Sequence, residues 1–233
     1  MFDIGIIVKD AYKSSFIKIL TLVLVLILPI QLLYTLFTVF LSTPFNLFGL
    51  PIIGSAIRSF LMIIAFFLAQ IPFILIYRQY RRNGEIKISS VFLQFFKYAF
   101  PIYMLMLLIS FFVTLGFIFL IIPGIVMLIL FIGLPQVKVM EDTPFIQTIR
   151  NAFDFGRKNF GFLIVVTLCF VFLDIMGSMI TFFFLSLFTN WYFLLNIGIM
   201  LVNALTMPLF AFMVTEKYIE WSGEEQYWFN QGK

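Results

Sequence analysis

The chain has no histidine, a single cysteine and few charges: Asp, Glu, Lys and Arg make up 11% of its 233 residues. Without histidine it lacks the commonest metal ligand and the side chain best suited to proton transfer near neutral pH. One cysteine, Cys169, excludes an intramolecular disulfide and any metal site built from several thiolates. The scarcity of charge excludes a soluble domain, whose surface would need many more polar residues to cover it. What is there instead is apolar. Hydrophobic residues make up 63% of the chain, 34 of them phenylalanine, and the mean hydropathy is +1.11. This is the composition of a chain solvated by lipid.

Six apolar runs, at about 16–41, 52–77, 101–120, 123–140, 160–188 and 191–215, predict an all-α polytopic membrane protein. Each is near or above the roughly 20 residues that cross a hydrocarbon core at 1.5 Å per residue. The first run is too long for a signal peptide and has no small-x-small cleavage site, so it reads as an uncleaved span. The whole chain, 1–233, then forms one integral membrane domain.

Charge sets the expected orientation. The connections 42–51, 116–122 and 188–190 carry no charge. Every Lys and Arg except Arg58 lies near the N-terminus, in 78–97, in 138–158 or in the tail, and so does every acid except Asp174. Positive residues gather on the cytoplasmic side. Both termini are therefore expected in the cytoplasm, in a cell's inner (cytoplasmic) membrane.

Three short segments share the form apolar, basic, any residue, Ala, aromatic: Val8–Tyr12, Phe96–Phe100 and Ile149–Phe153. Each precedes an outgoing span. The returning spans share a proline, in Gln70-Ile71-Pro72, Gly133-Leu134-Pro135 and Thr206-Met207-Pro208. The expected unit is an interfacial helix (about 4–13, 89–100 and 144–157) followed by a helical hairpin, used three times. In the third copy Thr143 is the expected N-cap and Pro144 the first helical residue. Phe145, Ile149, Ala152 and Phe153 then fall on one face of an amphipathic helix at the lipid boundary. Lys9, Lys97, Arg150, Arg157 and Lys158 are the candidate contacts to lipid headgroups or to a partner. The alternative for the third helix is an elbow that sets the angle between hairpins. Pro123-Gly124 is the expected tight turn between spans three and four, with Pro123 opening the helix and Gly124 letting the two helices approach.

The central Ile122-Pro123-Gly124-Ile125, an apolar span after it, an acidic break at Glu141-Asp142 and an Arg-containing amphipathic helix resemble the bacterial YciC-like proteins. Length, six spans and short termini add to the likeness. The resemblance implies an inner-membrane protein similar to the membrane domain attached to some glycerophosphodiester phosphodiesterases. It implies no catalytic residues, and the soluble phosphodiesterase domain is not in this sequence.

The spans hold too little for intramembrane catalysis, which needs paired acids, a nucleophile with a base, or metal ligands. Cys169 and Asp174 are five apart in sequence and so point about 140° apart on an ideal helix. No phosphate-cradling glycine loop, cofactor motif or metal-ligand spacing is present. The expected function is that of a non-enzymatic accessory or interaction protein, binding membrane lipids, another membrane protein or a second copy of itself, and no nucleic acid. The alternative is transport of, or immunity toward, a hydrophobic or amphipathic lipid or peptide. Arg58 and Asp174 are the two full charges at membrane depth, opposite in sign, and an ion pair between them is expected. Arg58 snorkelling alone and a protonated Asp174 are the alternatives.

Overall fold

The computed structural model describes residues 2–223, which are helical nearly throughout and contain no strand. The end of the tail, with Trp228, lies outside the described residues. Six helical segments are long and apolar enough to cross a membrane: Ile4–Leu47, Pro51–Arg82, Ile88–Phe119, Ile121–Glu141, Phe160–Ser186 and Tyr192–Ser222. The chain is a multi-pass helical membrane protein.

The first crossing joins α1 (Phe2–Leu22) to α2 (Leu28–Leu47) through one π-helical stretch, Val23–Ile27. Pro29 follows directly and has no N–H to donate. The wider turn, closed by Leu28 N–H on the Val23 carbonyl, accommodates its ring without ending the helix. The second crossing is α3 (Pro51–Asn83), capped by Gly84 in the left-handed region at φ 66°. The third is α4 (Ile88–Phe119). The fourth is divided into α5 (Ile121–Phe131) and α6 (Leu134–Glu141) by a turn at Ile132-Gly133. Then come α7 (Phe145–Lys158), α8 (Phe160–Ser186) and α9 (Tyr192–Ser222).

Several expected boundaries shift. Residues 4–13 and 89–100 are not separate helices; they are the first turns of α1 and α4, which run on unbroken. Nothing near Lys13 breaks a helix, and Pro101 is accommodated inside α4. The third copy alone is a distinct element, because Asn159, at φ −111° and ψ 21°, interrupts the helix between α7 and α8. Its cap is Pro144 rather than Thr143: the Thr143 hydroxyl meets that of Thr148 at 3.0 Å, and Thr148 also bonds back to the Thr143 and Pro144 carbonyls. The turn between the third and fourth crossings is Leu120, extended at φ −153° and ψ 130°, which makes Pro123 the third helical residue rather than the first.

Burial is concentrated at the charged end of the bundle. Ile71–Tyr77 of α3, Leu134–Met140 of α6 and most of Met207–Ile219 of α9 are buried there. At the opposite end the helices show Phe40, Phe48, Ile122, Phe172, Phe183 and Phe188 on the outside. Exposed apolar surface of this extent is what a lipid environment covers. The two central helices, α3 and α9, contact each other and α1, and the Tyr12 hydroxyl of α1 donates to the Leu205 carbonyl at 3.1 Å.

α7 is not a helix lying free on lipid. Its Thr148, Ala152, Phe155 and Gly156 are buried, while Phe145, Ile146 and Phe153 remain exposed. Of the four residues expected to face lipid, Phe145 and Phe153 stay exposed and Ile149 is half-buried, whereas Ala152 belongs to the stripe packed on the bundle. Two glycines seat it against α5. A Cβ on Gly133 would lie 2.6 Å from Cε1 of Phe155, and one on Gly156 would overlap the backbone of Leu130. On its other flank, Phe155 packs edge-on against Tyr218 and Trp221 of α9, with centroids 5.2 and 5.5 Å apart. The glycines let α7 reach the bundle, and the rings hold it there.

Candidate functional site

The charged end is organised by three polar clusters, each tied to an acid. In the first, the buried Tyr77 donates its hydroxyl to Glu216 Oε2 at 2.7 Å, and Arg81 Nη2 lies 3.2 Å from Glu216 Oε1. Glu216 is only 4% exposed, so its charge needs these partners. Tyr77 and Arg81 stand one turn apart on α3, the spacing that puts both on one face toward α9.

In the second cluster Glu141, at the end of α6, accepts from Asn151 Nδ2 of α7 at 2.7 Å and from the Tyr218 hydroxyl of α9. One carboxylate thus joins three helices. In the third, Asp142 caps α6 in the left-handed region at φ 50°. Its carboxylate lies 2.8 Å from Lys97 Nζ and 3.3 Å from Lys138 Nζ. The hydrogen bond from Lys97 holds the Asp142 carboxyl below its ordinary range, with Lys138 adding to the effect. Lys138 also donates to the Thr143 carbonyl at 2.6 Å, and Arg78 to the Val139 carbonyl at 2.8 Å. Deeper in, the amides of Gln70 and Gln136 meet at 3.0 Å.

The residues singled out in the sequence fall into three groups. Lys9, Arg150, Arg157 and Lys158 are exposed at this end. Lys158 also lies over the Trp221 ring, 5.5 Å from its centroid. Lys97 is exposed too, but is engaged by Asp142. Gly124 meets α4, where a Cβ on it would lie 2.9 Å from Phe117 N and one on Gly116 would lie 2.9 Å from Gly124 Cα.

Arg58 and Asp174 are not paired. Arg58 is exposed and donates to the Ser42 hydroxyl of α2 at 3.4 Å. Asp174 is half-buried on α8, which packs chiefly on α9. Oriented with its Nδ2 toward the acid, Asn203 of α9 donates to Asp174 Oδ1 at 3.2 Å and lies 3.0 Å from the Ser178 hydroxyl. α3 and α8 do touch, Phe66 lying 6.3 Å from Phe170 between ring centroids, but each charge bonds a different helix, Arg58 reaching α2 and Asp174 α9.

The sequence reading assigned no site role to Tyr77, Arg81, Glu141, Glu216 or Tyr218: Tyr77 closed the second apolar run, Glu141 stood in an acidic break, Arg81 in a loop, and Glu216 and Tyr218 in the tail. Their signal was the helical spacing of Tyr77 with Arg81 and of Glu216 with the apolar face of α9, visible once both helices are extended past the apolar runs. No family model, curated protein or solved structure matches this chain. The site must therefore be read from its own geometry. The acids are occupied in joining helices, while Lys9, Arg150, Arg157 and Lys158 point away from the packed core.

Proposed function

We propose that the chain is a non-enzymatic accessory protein of a cell's inner membrane. Its charged end faces the cytoplasm and holds lipid headgroups or a membrane partner. One observation carries this reading: α7 is fixed to the bundle by Gly156 and Phe155, yet presents exposed Phe145 and Ile146 beside exposed Arg150, Arg157 and Lys158. Apolar side chains next to cations on a rigid helix suit the boundary between acyl chains and anionic headgroups. The threefold repeat belongs to the same reading, since Lys9, Lys97 and Arg150 are exposed in all three copies.

The test is a photoreactive residue in place of Ile146, which is 83% exposed, activated in intact cells. Adducts with phospholipid or with a discrete membrane protein are expected. Adducts with soluble proteins alone would overturn the reading.

A second reading, transport of or immunity toward a hydrophobic or amphipathic lipid or peptide, draws on the opposite end. There a cleft between α3 and α4 is lined by Ser55, Ser59 and Thr114 amid apolar neighbours. A co-purifying lipid or peptide in that cleft, displaced by Ser59→Leu, would favour it.

A further inference from the structure

A second polar feature at the charged end is a cleft of about 390 Å³ between the end of α3 and the start of α4. That is within the ~300–1,000 Å³ range of small-ligand sites. It is lined by Arg78, Arg82, Lys87 and Lys97 with Glu85; Lys97 is also paired with Asp142, and Arg78 also donates to the Val139 carbonyl. We propose that this cleft is a binding site for the phosphate headgroup of an anionic phospholipid. The inference rests on the reading of the charged end as a cytoplasmic, lipid-facing surface, and names a ligand and a place for it.

The chemistry of the walls favours a phosphate. Gln79 builds the cleft by accepting the Lys87 N–H at 2.9 Å, which folds the connection back on α3. The Ser90 hydroxyl accepts from the Gln79 and Gln94 amides at 3.4 and 2.8 Å. Its own proton remains available to an oxygen in the cleft. No side chain caps α4 at Lys87, so the first-turn N–H groups have no intrahelical acceptor and the helix offers its positive pole. Lys87 and Ser90, at that first turn, both line the cleft. Cations, a hydroxyl donor and a helix N-terminus together form the recurring arrangement for phosphate oxygens.

The surroundings favour a lipid over a free anion. Lys97 shares a stripe of α4 with Leu93 and Phe100, which are 73% and 65% exposed, and Phe96 beside them is 57% exposed. A headgroup in the cleft would leave its acyl chains against this apolar stripe, continuous with the membrane-facing surface of α4.

The test uses the full-length protein in neutral detergent, with a short-chain phosphatidic acid, the matching phosphatidylcholine and inorganic phosphate as probes. Phosphatidic acid should bind, and phosphatidylcholine should bind at least roughly tenfold more weakly. Lys87→Glu reverses one exposed wall charge and should weaken phosphatidic acid binding by roughly tenfold or more. Lys13→Glu, an exposed charge reversal on α1 outside the cleft, should leave it within about twofold. Equal losses in the two variants would mean diffuse attraction to the charged end; this would overturn the cleft but not the broader reading tested at Ile146. Competition by inorganic phosphate as potent as the lipid's own binding would overturn the lipid assignment. Equal binding of the two lipids would overturn the site altogether. Unchanged thermal unfolding of Lys87→Glu shows that the loss is one of binding and not of fold.

Discussion

The Tyr77 hydroxyl and the Glu216 carboxylate are joined at 2.7 Å in the most thoroughly buried part of the bundle, with Arg81 on the carboxylate's other oxygen at 3.2 Å. The contact links α3 to α9 across 139 residues of sequence. Removing the acid breaks both contacts, and breaking a buried ion pair costs about 3–5 kcal/mol. Glu216→Leu should therefore lower the thermal midpoint in detergent markedly. Tyr77→Phe, which removes one hydrogen bond and leaves the ring against Phe212, should cost about 1–3 kcal/mol. If both variants unfold like the parent, this contact does not hold the helices together.

Gly156 gives a sharper steric test. A methyl group there would overlap the backbone of Leu130, which cannot rotate away, so α7 would have to lift from α5. Gly156→Ala should destabilise by at least about 1–3 kcal/mol. Gly161, two residues into α8, has open space around its Cβ position. Gly161→Ala should be neutral or stabilising by about 0.5–1 kcal/mol. Thermal unfolding of the two variants side by side checks the contact, and equal effects would remove it.

The six crossings were legible in the sequence because lipid imposes long apolar runs, and run length alone identifies them. The pairing of helices was not legible, and Arg58 with Asp174 shows why. Counting residues from the helix ends put both at similar depth, yet the choice of neighbour depends on side-chain packing around each helix, which run length does not encode. Asp174 therefore met Asn203 on α9. The charged end was misread for a related reason. Glu141 and Glu216 looked like loop charges because α6 and α9 extend past the apolar runs, and their partners lie far away in sequence. The glycines were partly legible: Gly124 stood out beside Pro123, whereas Gly156 lay inside an amphipathic pattern and gave no sign that Leu130 would sit on it.

Asp142 should give the folded state a pH dependence of known sign. Its carboxyl is held below the ordinary range by Lys97 first and then Lys138. A group depressed in the folded state contributes its stabilisation above the unfolded value, about pH 4 for aspartate. That contribution disappears as pH falls through the depressed folded value. Because the carboxylate is nearly half exposed, the effect is at most about 1 kcal/mol. Asp142→Asn keeps a residue that tolerates positive φ while removing the charge. The parent should be the more stable of the two near pH 7, and the gap should close toward pH 3. A gap independent of pH would trace the difference to something other than the ion pairs.

The separation of Arg58 from Asp174 predicts additivity. Arg58 is exposed and bonds Ser42 on α2, while Asp174 bonds Asn203 on α9, so neither charge depends on the other. In a double-mutant cycle with Arg58→Ala and Asp174→Ala, the two losses should add within about 0.5 kcal/mol. The larger single loss should come from Asp174, whose removal deletes the Asn203 amide's hydrogen bond between α8 and α9 in an apolar setting, whereas Arg58 is exposed. Asp174→Asn, which keeps an acceptor oxygen for that amide, should recover most of it. Thermal unfolding of the four proteins in one detergent supplies the cycle. A coupling well above 0.5 kcal/mol would bring the two charges within reach of each other. Failure of Asp174→Asn to recover stability would mean that the charge itself, and not the hydrogen bond to Asn203, is what α8 requires at that depth.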